Sequence, residues 1–198
     1  MRLDLLVTLK TVDLVRETAW LTLVERLGWG DRLLGLARHR LWRFTVEGAD
    51  AAVCQSALAA ELERSSAYYN PNKERLTWLA ADALGAGDAL PAPLPRPLGP
   101  ADALSSWQLG LWVTDEGGAA DALRAASAAR LSPAVALTAL HTGSFWELRL
   151  AAANAAEAGG LAAALAVSRG RGEGLLLNPH YQEGRLLALA PAPAEVSA

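Results

Sequence analysis

The chain has 198 residues, 52% of them hydrophobic, with a formal charge of −3 and one cysteine, Cys54. That length allows one or two domains with real cores, and the slightly acidic balance gives a nucleic-acid partner no bulk electrostatic support. A lone thiol excludes an intramolecular disulfide and fits a reducing compartment.

The first residues, Met1 to Thr8, carry Asp4 inside a short apolar run and lack a small-residue cleavage pattern, so they do not read as a signal peptide. Leu150 to Ser168 is the one window to test as a membrane span. It is mostly alanine and holds Asn154, Glu157 and Gly159-Gly160, which makes a soluble helix the better reading. The chain is expected to be cytoplasmic, without membrane or nucleic-acid partners.

Leu3 to Leu9 reads as a buried strand whose polar positions are Asp4 and Thr8. Asp13 offers an N-cap, and Leu14, Ala19, Trp20, Leu23, Val24 and Leu27 recur at helical spacing until Gly28 ends the helix. Leu33 to Val46 reads as a pair of strands bent near Arg38-His39-Arg40, the second rich in aromatic and β-branched residues. Asp50 caps a second helix to about Ser66, with Cys54, Leu58 and Leu62 as its buried stripe. Tyr68-Tyr69-Asn70-Pro71-Asn72 breaks it, because Pro71 disfavours helix at Asn70. A short strand from Leu76 to Ala80 completes the order β-α-β-β-α-β.

Residues 83–106 interrupt the pattern with Pro91, Pro93, Pro95, Pro97 and Pro100, the composition of a semi-rigid polyproline II spacer. Beyond them the order recurs. Leu109 to Thr114 reads as a strand, Ala119 to Ala129 as a helix and Ala134 to His141 as a strand. Gly143 marks a turn into the strand Phe145 to Leu150, then come a helix from Ala153 to about Ser168 and a last strand near Arg185 to Leu189. Val7 with Val113, Trp42 with Trp146, and Asn70-Pro71 with Asn178-Pro179 keep their order at offsets of 106, 104 and 108. A period this long reads as duplicated domains, not a solenoid. The predicted organisation is repeat 1 at 1–82, a linker at 83–106, repeat 2 at 107–190 and a disordered tail at 191–198.

Val7-Thr8-Leu9-Lys10, Asp13, the helix closing in Leu27-Gly28, a hairpin, a helix and Asn70-Pro71-x-x-Glu74 resemble PurS, the small subunit of phosphoribosylformylglycinamidine synthase. Leu140 to Leu148 is similar to that family's hairpin, and Gly174 to Pro179 and Tyr69 to Glu74 are similar to its Leu-Leu-x-Asn-Pro-x-x-Glu ending. The family's Pro-Gly and Asp-Pro-x-Gly after the first strand are absent, and its hairpin Gly-Lys is His39-Arg40 in one copy and Gly143-Ser144 in the other.

The order of elements and the resemblance imply an α+β fold of two tandem β-α-β-β-α-β domains. Each would be a four-stranded antiparallel sheet with two helices on one face, and the two would form a covalent pseudo-dimer, since linkage raises effective concentration. The resemblance implies a non-catalytic role without cofactors, assembling a glutaminase with an ATP-dependent synthetase. Partner contacts are then expected at Lys10, Asn70, Pro71, His141, Gly143, Asn178 and Pro179, with self-association as a further expectation.

The residues offer little chemistry of their own. His39, His141 and His180 are too scattered for a metal motif. Arg38, Arg40 and Arg43 beside Trp42 and Phe44 fit either an anion contact or a strand with one wet face. The second copy keeps Trp146 but replaces most of the arginines, which favours the strand. Gly170 to Gly174 follows a helix instead of opening one, the wrong order for a phosphate cradle. Cys54 faces a core, and no nucleophile has an obvious base, so the chain does not read as an enzyme by itself. The alternatives are a stand-alone small-molecule-binding module of the ACT type, or a PurS-derived interaction protein without a purine role.

Overall fold

A computed structural model describes residues 1–91, 104–115, 120–167 and 174–188. The prolines from 93 to 100, the glycine run 170–173 and the tail 191–198 lie outside the described residues.

The first strand, β1 (Arg2–Leu9), places Leu3, Leu5 and Val7 in one apolar cluster, as alternation along a strand requires. Asp13 caps α1 (Leu14–Leu21), its carboxylate accepting from the N–H groups of Val15 and Arg16 at 3.0 and 3.2 Å. The helix then widens into a π-helical turn, Thr22–Arg26, closed by Leu27 N–H to Thr22 O at 3.0 Å. Gly28 follows at φ 67°, the left-handed stop that only glycine adopts without cost. Asp50 and Asn154, 104 residues apart, cap α2 (Ala51–Arg64) and α4 (Ala155–Ala166) in the same way, each accepting from the N–H three residues on. Glu157 also accepts from Ala153 N–H, one residue before the cap, at 2.6 Å.

The sheet differs from the two four-stranded sheets expected. Leu33–Glu47 is one continuous strand, β2, and Ala136–Ala152 is another, β6. With β3 (Glu74–Trp78), β4 (Asp88–Ala89), β5 (Ser105–Asp115) and β7 (Gln182–Ala188) they give a seven-stranded order of β3-β1-β2-β6-β5-β7-β4. The β1–β2, β1–β3 and β4–β7 pairs are antiparallel. The architecture is α+β, but neither hairpin forms. A two-residue hairpin turn needs residues that accept positive φ, typically Asn-Gly or Gly-x. Arg38-His39-Arg40 supplies none. Among the described residues only Gly28, Asp82, Gly85 and Gly87 have positive φ, so Gly143 does not turn the chain either.

The chain divides into two compact units, and neither coincides with a sequence half. Unit 1 comprises Met1–Val12, His39–Ala83 and Asp115–Ser144; unit 2 takes Asp13–Arg38, Leu84–Thr114 and the chain from Phe145. The long strands pass from one unit to the other at Arg38/His39 and Ser144/Phe145, where hairpin turns are expected. The core of unit 1 packs Leu5, Phe44 and Leu58 with Val135, Leu137 and Leu140. α3 (Ala120–Ala128) belongs to this unit and buries Ala120 and Ser127. The core of unit 2 packs Leu111, Leu148 and Leu161 with Leu23, Trp29 and Leu36. Each unit thus buries side chains from both halves.

Gly110, on β5, is set against the buried Phe145 ring. A Cβ there would lie 2.6 Å from the ring, inside any real contact. Gly110→Ala is expected to cost about 1–3 kcal/mol through overpacking. An unchanged urea midpoint would contradict this packing.

Candidate functional site

Two Asn-Pro turns give the most regular site-like geometry. In unit 1, Asn70 Oδ1 accepts from Asn72 N–H at 3.0 Å, and Asn70 N–H donates to Glu74 Oε2 at 2.7 Å. Asn70 O accepts from Lys73 and Glu74 N–H at 3.0 and 2.8 Å. In unit 2, Asn178 Oδ1 accepts from His180 N–H, and Asn178 N–H donates to Gln182 Oε1, both at 3.0 Å. Asn178 O accepts from Tyr181 and Gln182 N–H at 3.2 and 2.9 Å. Four bonds therefore recur 108 residues apart. The motif Asn-Pro-x-x-Glu/Gln has a local physical meaning: an Asx turn that leads into a strand, with the fifth side chain reaching back to the turn's first N–H.

Lys10 joins the first turn, its Nζ donating to Pro71 O at 2.7 Å and its N–H to Lys73 O at 2.8 Å. Arg40 lies beside it, donating from Nη2 to Tyr68 O at 2.8 Å and to both Glu74 oxygens at 3.2 Å. Lys10, Arg40, Asn70, Pro71 and Glu74 thus form one exposed or half-buried polar cluster. His141 and Gly143 are placed differently from a hairpin tip, being interior residues of β6. His39, in β2, meets Thr8 Oγ1 with Nδ1 at 2.7 Å.

The three arginines do not converge on an anion. Arg38 pairs with Asp13 at 3.2 Å and lies over the Trp146 ring. Arg40 pairs with Glu74. Arg43 is buried, donating from Nε and Nη2 to the two oxygens of the buried Asp4 at 2.8 and 3.0 Å. Each guanidinium already has its own carboxylate.

Sequence reasoning missed a buried polar chain in unit 1. Tyr68 Oη and Ser127 Oγ are 2.6 Å apart, and Ser127 Oγ donates to Glu61 Oε1 at 3.0 Å. Arg130 Nε reaches both Glu61 oxygens at 2.9 and 3.1 Å, and its Nη2 also donates to Oε1. These hydrogen bonds from Arg130 hold the Glu61 carboxyl below its usual range, outweighing the opposite effect of burial. Burial pushes the Tyr68 phenol upward. The signal was legible: Glu61 sits one turn after Leu58, on the apolar stripe of α2. Glu61, Tyr68 and Ser127 are all buried, and these bonds join α2 to α3. Tyr68→Phe is expected to cost about 1 kcal/mol, the usual net value of one hydrogen bond. Denaturant melts of the two proteins would check it.

Unit 2 holds an open cleft of about 390 Å³, lined by Arg16, Trp20, Gly35, Gln108, Glu147 and Arg149 among others. Arg16 Nε is engaged by Leu36 O at 2.7 Å, and Arg149 Nη2 by Leu34 O at 3.4 Å. α1 exposes Leu14, Val15 and Leu21, at 75%, 53% and 48%, together with Thr18. α3 instead exposes Asp121, Ala122, Ala125 and Ala126. Among the described residues no group of three or more His, Cys, Asp or Glu side chains could hold a metal ion, and no helix is long and apolar enough to cross a membrane. Compared with known proteins, the chain matches no protein-family model, and neither a curated protein nor a solved structure shows significant similarity to it.

Proposed function

We propose that the chain is a non-catalytic, PurS-like assembly subunit: two copies of one repeat on one chain, a pseudo-dimer that holds a glutaminase and an ATP-dependent synthetase together in the cytoplasm. The observation that carries this reading is the twice-built Asn-Pro turn. Its four bonds give a physical reason for the ending motif that the chain has in common with the family, at Asn70 to Glu74 and again at Asn178 to Gln182. The exposed Leu14, Val15 and Leu21 of α1 support a binding role, since exposed large apolar side chains in one place favour an interaction surface.

The test mixes the purified chain with the glutaminase and synthetase subunits of phosphoribosylformylglycinamidine synthase. A ternary complex by size-exclusion chromatography, with glutamine-dependent synthesis only when the chain is present, is the expected result. No complex with either subunit sinks the proposal. Leu14→Asp, at a solvent-exposed position, is expected to weaken that complex at least ten-fold while leaving the unfolding free energy within about 0.5 kcal/mol of the parent.

A small-molecule-binding module is the second reading, favoured by the cleft of unit 2 with its two arginines and Glu147. Thermal stabilisation by amino acids or nucleotides, abolished by Arg149→Ala, would favour it over the assembly role.

A further inference from the structure

The route of the chain through its two units carries an inference independent of the proposed function. Unit 1 contains β1, the end of β2, α2 and β3 from the first half, but α3 with the start of β6 comes from the second half. Unit 2 contains β5, the end of β6, α4 and β7 from the second half, and takes α1 with the start of β2, and the short strand β4, from the residues before 92. The exchanged arms are equivalent pieces of the repeat, each a helix and the strand segment after it. Each ends at a unit boundary inside a continuous strand, Arg38/His39 or Ser144/Phe145, and these boundaries are 106 residues apart. Neither boundary holds a residue with positive φ, so nothing folds the strand back onto its own half. An arm that cannot turn back must find its complement elsewhere. This is the geometry of element exchange, here within one chain.

The arms are not ornamental. Ala19, Leu23, Trp29, Leu33 and Leu36 of the first arm are buried in the core of unit 2. In unit 1, Ser127 of the second arm is fully buried against Tyr68 and Glu61.

We propose that residues 1–91 and 104–188 are held together by these exchanged arms, with the short β4–β7 pair beside them, and not by the covalent link, and that a second copy of this chain can supply the completing half. A protease site placed within residues 92–103 of the full chain tests this. After cutting, the two fragments are expected to co-elute at the mass of the uncut chain with an unchanged far-ultraviolet spectrum. Isotopically labelled and unlabelled cut preparations, mixed under native conditions, are expected to keep their original pairs. Mixed hybrids should appear only after joint unfolding and refolding, because an exchanged arm must leave its core before it can move.

Three results would overturn the proposal. Fragments that separate on cutting, folded or unfolded, would show that the link is what joins them. Hybrids forming without denaturant would reveal an ordinary interface. Failure to re-pair after refolding would show that one half cannot complete the other in trans. A companion measurement uses the uncut chain: two differently tagged copies should co-purify after joint refolding at high concentration, and not after separate refolding.

Discussion

Asp4→Ala is expected to destabilise the protein by about 3–5 kcal/mol, enough to remove a large share of a small domain's stability. Asp4 and Arg43 face each other in the β1–β2 register and are 1% and 4% exposed. Two parallel N–H to oxygen bonds at 2.8 and 3.0 Å join them, the fork geometry in which arginine binds a carboxylate best. Removing the carboxylate takes away both of these bonds from a guanidinium that stays buried, and that loss dominates. The pair as a whole is a different matter. Replacing both residues by leucine removes two desolvation costs along with one attraction, so the double variant is expected to lie within about 1–2 kcal/mol of the parent, or above it. Urea titrations of Asp4→Leu, Arg43→Leu and the double variant decide the matter. A double variant as unstable as the sum of the singles would mean that the two side chains do not act as a pair.

This pair also marks the limit of what the sequence discloses. Asp4 is visible as the polar position of an apolar strand and Arg43 as one of three neighbouring arginines. Only the register that places them opposite each other turns them into one buried ion pair. The other copy gives no help, since the positions equivalent by the repeat offsets are Gly110 and Glu147. Features set by a few neighbouring residues are legible: the Asp13 and Asp50 caps, the Gly28 stop and the two Asn-Pro turns are each decided within five residues. The hairpins are not. Polar residues at 38–40 and a glycine at 143 resemble turns, yet a turn also requires the strands on each side to prefer each other. Here each arm finds its core in the unit of the other half, a long-range choice that local composition does not record. The duplication is what makes that choice available, because equivalent arms fit equivalent cores.

Glu61→Ala is expected to cost about 3 kcal/mol at pH 7. Ser127 and Tyr68, both fully buried, would lose the acceptor at the end of their chain, and an unmet buried donor costs about 1–3 kcal/mol. Arg130 contributes less to the loss, because its side chain is 45% exposed and regains water. Ser127→Ala removes the bridging hydroxyl instead. Its effect should not add to that of Glu61→Ala, since each variant breaks the same chain. Acidity separates the charge from the packing. Arg130's hydrogen bonds lower the Glu61 carboxyl in the folded state, so its stabilisation is complete above the ordinary carboxyl value of about 4.3 and is lost as the pH falls through the lower folded value. Glu61→Gln keeps an oxygen acceptor but cannot ionise. The stability gap between the parent and Glu61→Gln is therefore expected to be constant from pH 7 to pH 5 and to shrink below pH 4. A gap that stays constant to pH 3 would assign the whole effect to shape and none to the carboxylate.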